Sequence, residues 1–406
     1  MVHEVDVLTA VPESEQRWLS RALKNETVGG LLLMSAAVVA LVWANSSWAS
    51  TYESLVSYQI GPDSLGLHLS LSAWASDFLL AVFFFVIGCE LKHEFVLGTL
   101  SNPKIAAVPI GAALGGMLVA ATIFLAFNIN TPAQAAWGLP ISTDVAFALA
   151  VLAIAGHRLP MELRSFLLTL AVVNDLGAIM VIAIFYSHGF HLNWFITAVS
   201  LLALFGLLQN RRLTSTLIFV PLAFLVWYAM FRSGIHATIA GVALGLLMRV
   251  RKTESESMSP CDRAEVRLRP FSAGFAVPAF AFLAAGVNIL GTTLGEAISD
   301  PLTMGVMCGL IIGQPIGVTL GAFLVSRFTS GTLNPALSWW DVAVVGTLAS
   351  IGFTVALLIA EVTFGSDIEM LATSKFAIIF TNLVAIIVSV LAISLRSVAI
   401  GRYKTE

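Results

Sequence analysis

Charge is scarce in this chain. Asp, Glu, Lys and Arg make up 11% of the 406 residues, against about 25% in an ordinary soluble domain. A basic excess is absent too, since 21 Lys and Arg stand against 24 Asp and Glu for a net charge of −3. No strong positive field draws nucleic acid, so no nucleic-acid partner is expected. Cysteine is rare: Cys89, Cys261 and Cys308 fall on separate segments with no C-x-x-C pair. That spacing argues against a disulfide framework or a thiolate metal site, and no cofactor is expected. The first 27 residues are polar and acidic, with neither an h-region nor a small-residue cleavage site. The expectation is that no signal peptide is cleaved and that the first apolar stretch stays as an anchor. No polar stretch is long enough for a separate soluble domain. What the chain has instead is apolar surface. Hydrophobic residues reach 58% and mean hydropathy is +0.91, which excludes disorder and points to a membrane.

A spanning helix needs about 20 mostly apolar residues. Twelve segments qualify: 28–48, 75–97, 105–127, 137–155, 165–186, 193–210, 213–231, 235–250, 271–292, 301–326, 341–363 and 375–395. The fold class expected is an all-α integral membrane protein with about twelve transmembrane helices. Placing the N-terminus inside puts 19 of the 21 Lys and Arg on the inside and leaves Arg232 and Lys375 outside. That asymmetry predicts cytoplasmic termini: a tail at 1–27, a membrane domain at 28–395 and a second tail at 396–406.

Two connecting segments stand out. The outside loop 49–74 has no Lys or Arg, and LVSYQI and LGLHLSLS flank the turn Gly61–Ser64. Alternating Leu65, Leu67, Leu69 and Leu71 predict a hairpin. A lone hairpin is marginal in water, so it leans on a second copy or on its own helices. The inside loop 251–270 is the most charged internal stretch and reads as a solvated connector or a regulatory segment.

Ionisable groups at mid-membrane depth are costly and usually functional. Asn174 and Asp175 sit at the middle of 165–186, Thr143 and Asp144 near the middle of 137–155, and Gln314 near that of 301–326. Asp175 is the strongest candidate, because a lone carboxylate at that depth takes up a proton or holds a cation. Hard cations prefer oxygen ligands. The Asp175 carboxylate and Thr143 hydroxyl are the expected Na+ ligands, with the Asn174 carbonyl beside them. Pro140 removes a backbone donor and breaks its helix. The string TLASIGFTVAL, with Gly352 and Thr354, is a matching interruption in 341–363. Two interrupted segments in opposite halves point to a transporter site made of inverted repeats. Helix N-termini carry positive partial charge, so Asp144 would compensate facing N-termini rather than bind the ion.

Other polar residues carry less. Asp77 marks the outer end of the second segment. Glu90, Lys92, His93 and Glu94 close its inner end, as an interfacial cluster or as a cation funnel built on Glu90 and Glu94. His236 reads as a packing histidine or a proton relay. Glu361 is expected to snorkel, and Asn382 to bond between helices.

Together these strings resemble the NhaA-type sodium/proton antiporter family. The resemblance rests on AVFFFVIGCELKHE (81–94), PISTDVAFALAVLA (140–153), AVVNDLGAIMVIAIFY (171–186), SGIHATIAG (233–241), IIGQPIGVTL (311–320) and VVGTLASIGFT (344–354). They occur in family order and span roughly residues 20–400. The resemblance implies twelve helices with broken, crossed fourth and eleventh members. It implies an aspartate ion site on the fifth helix, and Na+ or Li+ exchanged for H+ across a bacterial inner membrane. It also implies a homodimer held through the 53–72 hairpin.

The chain departs from the family pattern. The usual pair of aspartates on the fifth helix is Asn174–Asp175 here, and the usual lysine of the tenth helix is Gln314. One acid and one base are missing together, which keeps the charge balanced and leaves two amides able to hydrogen-bond each other. With Asp175 alone titrating, exchange is expected to be 1:1 and electroneutral; a second carrier at Asp144 would make it electrogenic. In EVRLRP (265–270) arginines replace the family's histidines, which weakens or shifts pH control, since arginine does not titrate near neutrality. FAFLAAGV (280–287) lacks the usual amide. Three other readings stand beside this one. Asp144 and Asp175 could form an aspartyl-protease dyad, a sodium-coupled solute symporter could share the same core, and the chain could be a transport-inactive homologue.

Overall fold

The computed structural model describes residues 26–156, 159–187, 189–213, 215–254, 256–288, 294–329 and 331–403. Most of the expected N-terminal tail and the end of the C-terminal tail lie outside them. The helices in chain order are α1 Glu26–Ala44, α2 Ala49–Ser57, α3 Leu71–Val96, α4 Pro103–Asn128, α5 Val145–Ala155, α6 Met161–Phe185, α7 Leu192–Asn210 and α8 Thr216–Arg232. There follow α9 Thr238–Leu247, α10 Pro260–Ala285, α11 Leu294–Ser299, α12 Pro301–Phe328, α13 Trp339–Ala349, α14 Thr354–Phe364 and α15 Ile368–Tyr403. Lipid offers no partner to a bare N–H or C=O, so apolar runs become helices that satisfy their own backbone.

Each of the twelve predicted segments falls largely on helix, and the fold is the all-α membrane architecture expected. Among the described residues seven helices are long and apolar enough to cross a membrane, or up to ten if each bent pair is one span. Length and composition thus give fewer than twelve crossings, because α8 and α9 hold only 17 and 10 residues.

Polar caps explain where several helices start. Asn102, Ser259 and Asp300 each precede a proline, and their side chains accept from the N–H of Lys104, Asp262 and Leu302. A capping side chain followed by proline is a strong helix start. Ser259 therefore launches α10 well before the apolar run at 271, and most of the charged stretch 251–270 is helical rather than a loop. Ser70 accepts from Ala73 N and starts α3 at Leu71.

That cap also shortens the predicted hairpin. Extended pairing is limited to Gln59↔Ser70 and Ile60↔Leu69, while Leu55–Ser57, expected in the first strand, end α2. Here a tertiary anchor outweighs the alternating pattern. Tyr52 of α2 is buried, donates to Phe282 O at 2.6 Å and accepts from Gly286 N at 3.1 Å. The turn is tied to the same chain by Tyr228 and Arg232, which both donate to Leu65 O.

Small residues let the spans close on each other, as in other membrane bundles. A side chain at Gly115 or Gly321 would collide with the facing backbone of α12 or α4. The main core surrounds the paired breaks, and a second core joins α7, α8 and α9 to α3. π-Turns interrupt α3 at Ala75–Leu79, α10 at Ser272–Ala276 and α12 at Gly309–Gly313. Such turns frequently mark functional regions.

Candidate functional site

Two spans break where the sequence placed the interruptions. Pro132–Ile141 meets α5 at a bend of 49°, and α13 meets α14 at 45°. The first half of the earlier span is 3-10 turn rather than α-helix, with Pro132 and Pro140 each at a turn start. The two breaks cross. Asp144 N donates to Ile351 O at 2.6 Å, and Thr143 Oγ1 donates to Ala349 O at 2.9 Å. Gly352 is required at the crossing, because a Cβ there would strike the Ser142 carbonyl. Asn382 of α15 makes the expected interhelical bond, donating to Gly352 O at 2.9 Å.

Asp144 caps both half-helices. Its Oδ1 accepts from Phe147 N at 3.2 Å, and its Oδ2 accepts from Thr354 N at 3.3 Å and Thr354 Oγ1 at 3.0 Å. The carboxylate thus faces two positive helix ends at once. Thr354 is the second helix's contribution to that cap.

Asp175 is placed differently. It sits on α6 and is only 4% exposed. Among the described residues its carboxylate accepts no hydrogen bond and makes no ion pair. It lines a cavity of about 490 Å³, together with Thr143, Asp144 and Thr354. Asn174, its neighbour, is fully buried, and its Nδ2 donates to Thr143 Oγ1 at 2.9 Å. Thr143 spends its proton on Ala349 O, so it receives the amide proton and the Asn174 orientation is fixed. The chain Asn174–Thr143–Ala349 thereby locks the threonine hydroxyl into the crossing.

One sequence expectation fails here. Asn174 and Gln314 do not bond each other: the Gln314 Nε2 donates to Pro140 O at 3.0 Å instead. Pro140 lies inside the short 3-10 turn Leu139–Ile141, and a buried backbone carbonyl needs a partner, which Gln314 supplies. The oxygens Asn174 Oδ1 and Gln314 Oε1 are both buried without a partner among the described residues.

The cavity reaches from Asp175 to a polar mouth. Glu90, His93 and Glu94 of α3 line it, as do Asp262, Glu265 and Arg269 of α10. The expected funnel residues Glu90 and Glu94 therefore share one cavity with Asp175. Arg269 bonds both Glu90 and Glu265, and His93 Nδ1 lies 3.3 Å from Asp262 Oδ1. The α10 residues were not picked out as cavity lining from sequence. Their signal was present, since 262, 265, 266 and 269 share one helical face.

Two other polar residues have partners of their own. Glu361 does not simply snorkel; it pairs with Lys375 and accepts from Ser72. His236 is packed, with Nδ1 3.0 Å from Thr238 Oγ1 and Nε2 3.8 Å from Asp77 Oδ1.

The chain is similar to known proteins over nearly its whole length. Residues 20–393 match the family described as Na+/H+ antiporter 1. A Na+/H+ antiporter NhaA of Mycolicibacterium smegmatis is 48% identical over 375 residues, covering 91% of this chain and 86% of that protein. The protein of that name from Thermobifida fusca is 44% identical over 390 residues, covering 93% and 94%. Na+/H+ antiporter NhaA 3 of Streptomyces coelicolor is 46% identical over 385 residues, covering 94% and 81%. Among solved structures, the sodium proton antiporter MjNhaP1 of Methanocaldococcus jannaschii aligns at a TM-score of 0.52 and 13% identity. That alignment covers 95% of this chain and 98% of the other, a likeness of fold. With nearly the whole length matched, the chain belongs to the Na+/H+ antiporter 1 family.

Proposed function

We propose that this protein exchanges Na+, or Li+, for H+ across a bacterial inner membrane, by alternating access to Asp175. The family is one of transporters, so the protease reading is set aside. Asp175 carries the proposal. Among the described residues it is the carboxylate at the crossing that no donor engages, and it opens onto the cavity. Such a group accepts a proton or a cation, one at a time, and that competition couples the two fluxes.

The remaining residues support it. Thr143 offers its remaining lone pair beside Asp175, and Asn174 holds Thr143 in place. Asp144, with Thr354, Pro140 and Gly352, maintains the broken helices. Gln314 steadies the Pro140 carbonyl. Glu90 and Glu94 draw cations to the inner mouth. No cofactor is needed, because Na+ and H+ are the substrates. The Lys and Arg asymmetry of the loops sets the cavity mouth and both termini in the cytoplasm. The hairpin leaves Ile60 53% and Leu65 46% exposed, apolar surface that suits a second copy through 53–72.

The stoichiometry proposed is 1:1. Asp144 already serves as a double cap, which leaves Asp175 as the uncommitted carboxylate. Moving one net charge is worth about 2.3 kcal/mol per 100 mV, and a 1:1 exchanger forgoes that drive. The test is Na+-driven proton movement in proteoliposomes, with and without a clamped potential. Asp175→Asn is expected to abolish exchange, and retained exchange overturns the site. Rates indifferent to potential support 1:1 turnover; rates that follow the potential make Asp144 a second proton carrier.

A further inference from the structure

Four ionisable side chains from four elements meet away from the cavity: Asp77, His236, Glu361 and Lys375. None of them lines it. Lys375 Nζ lies 3.4 Å from Glu361 Oε1, and the two side chains are 11% and 14% exposed. Ser72 Oγ donates to the same Oε1 at 3.3 Å. Asp77 lies 3.8 Å from His236 Nε2 and shares α3 with Ser72, the residue that donates to Glu361. Asp77 and Glu90 share α3, thirteen residues apart, a rise of about 20 Å. This polar layer is therefore at the opposite end from the cavity mouth.

The position of Glu361 on α14 gives the pair a role. The first residue of α14 is Thr354, whose N–H and O–H engage Asp144. Glu361 follows two turns later, about 10 Å along the axis. One stiff half-helix thus has its near end on the site and its far end on Lys375. α15 grips the same element twice: Asn382 holds Gly352 O at the break, and Lys375 holds Glu361 at the far end. Lys375 and Asn382 are themselves two turns apart, on one face of α15. A buried ion pair is weak evidence for stability alone, since apolar residues often hold helices as well. A pair that can part and re-form suits an element that must move.

We infer that Glu361 and Lys375 are positioning residues of the exchange reaction, their ion pair setting the pose of α14 and hence how Thr354 meets Asp144. The inference rests on the exchange reading above. While the pair holds, α14 stays seated and the side away from the cavity stays shut. When it parts, α14 pivots at Ile351–Phe353 and that side opens. Neither residue touches the ion.

The experiment uses the full chain in proteoliposomes and measures the Na+ KM separately from each face. Glu361→Gln and Lys375→Met are expected to change the ratio of the two KM values by about fivefold or more, the usual range of a coupling between sites. The exchanged pair, Glu361→Lys with Lys375→Glu, is expected to bring the ratio back toward the parent. A parental ratio in both single variants, even with a lowered melting temperature, overturns the inference, as does an exchanged pair no better than the singles. If the singles do not fold, Glu361→Asp is read instead, because it keeps the charge and widens the gap. A shifted ratio then supports the inference and a parental one overturns it. Asp175→Asn run beside them separates the two levels. Exchange that survives it sinks the site assignment, whereas loss of exchange with unshifted ratios sinks the positioning role alone.

Discussion

The carboxylate of Asp144 accepts from both the N–H and the hydroxyl of Thr354, at 3.3 and 3.0 Å, although Thr354 opens the other broken helix. The same carboxylate accepts from Phe147 N in its own helix. One anion therefore terminates two half-helices, where each would otherwise leave donors bare in a buried crossing. Asp144→Ala removes both caps, and each cap is worth about 0.5–2 kcal/mol. Asp144→Asn keeps one acceptor oxygen. The expected order of thermal stability in detergent is parent, then Asn, then Ala, with the Ala variant down by about 1–4 kcal/mol. Equal melting temperatures for all three would show that the crossing is held by something else.

The crossing was readable from sequence, and the reasons are local. Pro140 and Gly352 interrupt apolar runs, and Asp144, Asp175 and Gln314 stand out because mid-membrane depth tolerates few polar groups. The mouth was harder. Asp262, Glu265 and Arg269 sit in a charged stretch that hydropathy assigns to water, and only the Ser259 cap shows that a helix begins there. The Glu361–Lys375 pair was hidden for another reason. Each residue near a helix end looks able to snorkel alone, and the partner is set by how α14 packs on α15. The hairpin is shorter than the alternation of leucines predicts, because Ser70 ends the strand by capping α3.

Asn174 and Gln314 are each fully buried and each engaged with the broken fourth span, through Thr143 and Pro140. Asn174→Asp deletes the amide donor that Thr143 receives and sets a second carboxylate beside Asp175. A buried group stripped of its partner costs about 1–3 kcal/mol, and more when charged. The single variant is therefore expected to melt lower by at least that amount. Adding Gln314→Lys supplies a cation at the Pro140 turn and is expected to recover most of the loss. The double variant also tests stoichiometry, because a second titrating carboxylate makes exchange respond to a clamped potential. Failure of the second substitution to restore stability would mean that the two amides are independent, not a matched replacement of an acid–base pair.

Arg249 and Glu256 form a two-pronged pair outside the spans, with Nη2–Oε1 at 2.6 Å and Nη1–Oε2 at 2.8 Å. Thr253 N donates to the same carboxylate at 3.0 Å. The guanidinium, helped by that N–H, holds Glu256 down at about 2. An unfolded glutamate titrates near 4.3, so the folded chain binds this proton less readily than the unfolded one. The pair's contribution is then fully present above about pH 5 and fades as pH falls toward 2. Arg249→Gln is expected to lower the melting temperature by a constant amount between pH 7 and about 5, with the gap narrowing at lower pH. A gap that widens in acid would assign the effect to some other group. Neither residue lines the cavity, so exchange at neutral pH should be unchanged in this variant. That separation matters, because a loss of exchange would mean that the segment between α9 and α10 bears on the mouth through Asp262, three residues after the Ser259 cap, and is more than a solvated connector.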